Sequence, residues 1–71
     1  MTKERVKDLA IEKTHEFFPQ LEANHPSYFM GIVEIVTNTI VNDYDLNTLG
    51  TESHVKKLME FDLRNLQDAL R

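Results

Sequence analysis

The residues best suited to chemistry in this chain are carboxylates and histidines, and they stand in two short spacings. Asp43-x-Asp45-x-Asn47 offers alternating oxygen side chains of the kind that open a helix-flanked calcium loop. The rest of that loop is missing. Thr48 holds the sixth position, where glycine makes the sharp turn, and His54 holds the twelfth, where a bidentate Glu closes the site. The expectation is therefore a loop whose Asp and Asn side chains satisfy their own backbone. Glu12-x-x-His15 sets two ligand types on one helical face, as in carboxylate-bridged di-metal bundles. Here Asp8, Glu12 and His15 lie opposite Val6, Leu9 and Phe17, so that face is expected to meet water rather than a metal.

No other arrangement points to catalysis. His25 and His54 stand at predicted helix starts, where capping or plain exposure explains them. Ser27 and Ser53 have no recognisable base and orienting acid, and two distant glycines, Gly31 and Gly50, cannot make a phosphate cradle. With no cysteine there is neither a thiolate metal site nor a disulfide. The sequence thus predicts no catalytic residues, no cofactor and no metal, which is the profile of a non-enzyme.

Two charges interrupt otherwise apolar faces. Lys13 falls between Val6, Leu9 and Phe17, and Asp62 falls between Val55, Leu58, Leu66 and Ala69. A buried charge must find a partner or lose its charge. The expectation is an ion pair between Lys13 and Asp62 that fixes how the first helix meets the last. Lys56, Lys57, Arg64 and Arg71 form a basic row on the outer side of the last helix, interrupted by Glu60 and Asp68. That row supports an alternative role as a small DNA-binding or transcription-associated regulator, although mixed charge of this kind usually marks a solvated surface.

The elements that carry these residues read as helices. Thr2 caps a first helix over about 3–18 that Pro19 ends, and Pro19 to Asn24 has room for one helical turn. The central stretch, about 27–43, has one charge, Glu34, among Tyr28, Phe29, Met30, Ile32, Val33, Ile35, Val36, Ile40 and Val41. Its β-branched residues also suit a strand, but the run is longer than a typical strand of about 5–6 residues and lacks an internal hairpin turn. After a loop that Leu46 and Leu49 are placed to pin, Thr51 or Ser53 caps a last helix over about 52–70. The predicted fold is all-α: one small three-helix domain, residues 1–71, around a nearly all-apolar central helix.

A helix apolar nearly all round needs cover nearly all round. Two neighbouring helices cover two sides, and a second copy of the chain is the simplest cover for the third. The expectation is a homodimer through Tyr28, Phe29, Ile32, Val33, Ile35, Val36 and Ile40. Chains below about 70–80 residues commonly rely on disulfides, metal or oligomerisation for stability, and only the last is open to this 71-residue chain. Net charge is −4, and from Thr14 to Val55 there is no Lys or Arg. That argues against the middle of the chain as a phosphate-backbone contact. Glu16, Glu22, Asp43, Asp45 and Glu52 instead form an acidic surface suited to steering a basic protein partner. No apolar signal segment or membrane span is legible, so the expected setting is the cytoplasm and the expected role a regulatory or accessory protein acting by protein–protein contact.

Overall fold

The computed structural model describes every residue except Leu46, Leu49 and Arg71. The expected pinning of the loop by the two leucines, and the place of Arg71 in the basic row, lie outside the described residues. Helix α1 (Lys3–Phe17) starts where Thr2 Oγ1 accepts the backbone N–H of Arg5 at 3.2 Å. Glu4 in its first turn and His15 in its last complement the helix dipole. Pro19 disfavours helical geometry at Phe18, which turns away at φ −133° and ψ 70°. One turn, α2 (Leu21–Asn24), follows, so the described residues form four helices rather than the expected three, and contain no strand.

Helix α3 (Pro26–Asp43) begins with Pro26 at its first position, where the missing N–H costs no hydrogen bond. His25 occupies the cap position without a side-chain bond. The β-branched run stays helical because packing outweighs propensity. Its threonines also return their hydroxyls to the preceding turn: Thr37 Oγ1 donates to Val33 O at 2.7 Å and Thr39 Oγ1 to Ile35 O at 2.8 Å. This bond lets Thr37 lie buried, as the same bond to Ala10 O does for Thr14 in α1. Gly50 then takes φ 78°, a left-handed conformation open to glycine without strain. Helix α4 (Glu52–Ala69) follows, capped by Thr51 Oγ1 accepting from His54 N at 3.3 Å.

Helices α1 and α4 run side by side in the same direction. The sequence separation across their contacts stays nearly constant: Arg5 meets Glu52 and Lys13 meets Glu60, both 47 residues on. Near the far end Gln67 Nε2 donates to Phe17 O at 3.3 Å. Helix α3 packs against both, more extensively on α1 than on α4. The core between them comprises Val6, Leu9 and Ala10 of α1, Phe29, Ile32, Val33, Val36 and Ile40 of α3, and Val55, Met59 and Leu63 of α4. Among the described residues no helix is long and apolar enough to cross a membrane.

Leu63 is fully buried in α4, with Met59 and Val55 four and eight residues before it. Replacing Leu63 by Ala is expected to cost about 2–5 kcal/mol, against a total stability on the order of 4–10 kcal/mol for a chain of this size. The urea midpoint followed by circular dichroism should fall by a large fraction, and a change of a few tenths of a molar would contradict the burial described.

Candidate interaction surface

Lys13 is the charge most constrained by the fold. Its side chain is only 12% exposed, and Nζ reaches Glu60 Oε1 at 2.7 Å on α4 and Glu16 Oε2 at 2.8 Å on its own helix. The expected partner, Asp62, makes no ion pair with it. The reason is rotational: two residues along a helix turn the side chain by about 200°, so positions 60 and 62 cannot both face α1. The line facing α1 is marked by Glu52, Lys56, Glu60 and Gln67, which contact Arg5, Glu12, Lys13 and Phe17. Asp62 falls on the opposite side, partly buried and without an ion pair or side-chain hydrogen bond. Burial pushes its carboxyl pKa up, and the nearby charge of Asp43 on α3 raises it further.

The acidic residues expected to steer a partner are divided by their local bonds. Glu16 is held by Lys13, Glu22 Oε1 lies 3.0 Å from His15 Nε2, and Glu52 grips Arg5 through two contacts of 2.6 and 2.7 Å. Asp45 accepts the backbone N–H of Asn47 at 2.9 Å, the self-satisfied turn expected in place of a calcium loop. Asp43 stays exposed at the end of α3. In the basic row Lys56 is drawn to Glu12 at 3.3 Å, so Lys57 and Arg64 are the described members without an ion pair.

The spacings considered for metals have other bonds. Glu12 faces Lys56, and His15, besides Glu22, packs against Phe29 with ring centroids 4.8 Å apart and planes tilted by 54°. Among the described residues no three His, Asp or Glu side chains converge as a metal site would require. The surface depressions are shallow. One of about 410 Å³ is lined by Phe17, Phe18, Pro19, Gln20, Leu21, Asn24 and His25, and holds one titratable side chain. Another of about 290 Å³ lies between Lys3 and Lys7 of α1 and Glu34, Thr37 and Asn38 of α3. Neither assembles an acid–base pair around a nucleophile.

A few large hydrophobic residues, Tyr28, Ile35, Tyr44, Phe61 and Leu70, stay exposed. Phe29, Ile32, Val33, Val36 and Ile40, all expected at a dimer interface, fill the core of the single chain instead, because α1 and α4 already cover their face. Tyr28 and Ile35 remain, 50% and 60% exposed. They lie on the flank of α3 away from α1, since Phe29, Glu34, Thr37 and Asn38 mark the α1 side. Phe61, at 67% the most exposed of the large hydrophobic residues described, occupies the flank of α4 away from α1. Apolar periodicity alone does not single it out. The available signal is a lone aromatic among polar residues of the outer face, with Lys57 four residues before it and Arg64 three after.

No protein family, curated protein or solved structure matches this chain.

The pairs between α1 and α4 give a pH signature. Hydrogen bonds from Arg5 and Lys13 hold the carboxyls of Glu52 and Glu60 below the usual Glu range. Their contribution is present above the unfolded value of about 4.3 and is lost as pH falls through the lower folded values. Asp62 has the opposite sign: its charged form is penalised above its raised folded pKa, and the penalty is relieved as pH falls toward the ordinary Asp value of about 3.9. Urea midpoints measured from pH 7 downward should rise slightly before dropping in the acid range. Asp62→Asn should remove the rise and Glu60→Gln should flatten the drop; unchanged profiles in both variants would contradict the assignment.

Proposed function

We propose that this chain is a small, non-enzymatic interaction protein, a regulatory or accessory factor that works as a homodimer. The observation that carries this reading is the exposure of Ile35, Tyr28 and Phe61 on helix flanks whose opposite sides are fully buried. Apolar surface of this kind, on a chain too short for a large core, is most economically covered by association.

A net charge of −4 makes the assembled protein a target for a basic surface, with Asp43 and Asp45 among the carboxylates outside ion pairs. Glu16 and Glu22 add to the same field while paired, since their side chains stay about half exposed, 55% and 49%. Such a field raises the encounter rate with a basic partner and disfavours acidic ones. The nucleic-acid alternative loses support because Lys56 is tied to Glu12 and acidic groups interrupt the row.

Light scattering across a dilution series should give twice the 8.3 kDa chain mass at tens of micromolar and a fall toward one chain on dilution. Changing Phe61 to Ser should shift that transition to higher concentration without loss of helical circular dichroism. A single-chain mass at every concentration would overturn the homodimer.

A further inference from the structure

The outer face of α4 carries three rows of different chemistry. Successive residues turn by about 100°, which places Lys57 and Arg64 along one edge, Phe61 and Leu58 in the middle, and Asp62 on the other edge, with Asp68 interrupting the basic edge one turn beyond Arg64. Asp43 of α3 lies close enough to Asp62 for the two carboxylates to repel, so it belongs to the same acidic edge. None of Lys57, Arg64, Asp62 and Asp43 makes an ion pair among the described residues. Glu60 feels the field of Lys57 and Arg64, but its carboxylate is turned to Lys13. Both signs of charge therefore flank one exposed aromatic, each without its counter-charge.

We infer that the occupant of this face is a second copy of the chain, with the two α4 helices packed side by side in the same direction. This rests on the homodimer reading above and locates its interface. A two-fold axis running along α4 sets the basic edge of each copy against the acidic edge of the other, so Lys57 and Arg64 meet Asp62 and Asp43 twice over. A two-fold axis across α4 would set like edges together, which is repulsive. The spacing agrees with the same direction. With Leu58 at position a and Phe61 at position d of a heptad, Lys57 is at g and Asp62 at e, the flanking positions whose charges set orientation in coiled coils. Asn65 falls at the next a position, where one polar residue fixes register, and the exposed Asp68 falls at the next d position, where it meets its own counterpart at the end of the seam.

Charge reversal tests this directly. Asp62→Lys alone should make both edges basic, and Lys57→Glu with Arg64→Glu should make both acidic. Each variant by itself should dimerise roughly tenfold or more weakly than the parent, and an equimolar mixture should recover the dimer by light scattering. The chain has no cysteine, so His54→Cys and Asn65→Cys report orientation separately. In a parallel pair each variant cross-links to the same position of its partner, since the Cα atoms must approach within about 7 Å. In an antiparallel pair only the mixture cross-links, and that result would overturn the inference. Dimers that persist in both charge variants would place the interface elsewhere while leaving the homodimer standing. A wild-type chain that stays single at every concentration would remove both.

Discussion

The ammonium of Lys13 is the constraint on which the arrangement of this chain depends. It sits on the inward-turning side of α1, its side chain only 12% exposed, where a cation is favoured by anions in hydrogen-bond reach. Glu16 supplies one from the next turn of the same helix, and Glu60 supplies the other from α4. Taking Glu60 as the partner fixes the rotation of α4. Val55, Met59 and Leu63 then turn to the core, Glu52 and Lys56 come level with Arg5 and Glu12, and Asp62 and Phe61 are directed away from α1. The ion pairs themselves stabilise little where water reaches them. Their consequence is register: they decide which side of α4 is left exposed.

The helix ends are legible in the sequence because their causes are local. Thr2 and Thr51 cap, Pro19 stops a helix, Pro26 starts one, and Gly50 makes the positive-φ turn before α4. The helical state of α3 is legible from the length of its apolar run and the absence of a hairpin turn, against the preference of its β-branched residues. The partner of Lys13 is not, since it depends on how two helices separated by 47 residues are rotated about their own axes. Reading the apolar side of α4 through Leu58 and Leu66 puts Asp62 near its centre. The fold instead centres that side on Val55, Met59 and Leu63, with Leu58 and Leu66 only half buried. That small rotation moves Asp62 off the α1 line and brings Glu60 onto it.

The same rotation explains why the candidate surface is only partly visible from composition. A surplus of apolar residues in α3 is evident from sequence, but most of it disappears into the core of one chain, leaving Tyr28 and Ile35. Phe61 becomes conspicuous only once the buried line of α4 is known. Likewise the acidic residues read as one surface in sequence, while the fold assigns Glu52 to Arg5, Glu22 to His15 and Asp45 to its own turn.

Coupling between Lys13 and each candidate acid, measured by double-mutant cycles, tests the rotation of α4 most directly. Lys13→Met combined with Glu60→Gln should be non-additive in stability, because the two side chains share one interaction. Lys13→Met combined with Asp62→Asn should be additive. Additivity with Glu60 together with coupling to Asp62 would mean that α4 presents a different side to α1, and the surface assigned to Phe61 would be wrong with it.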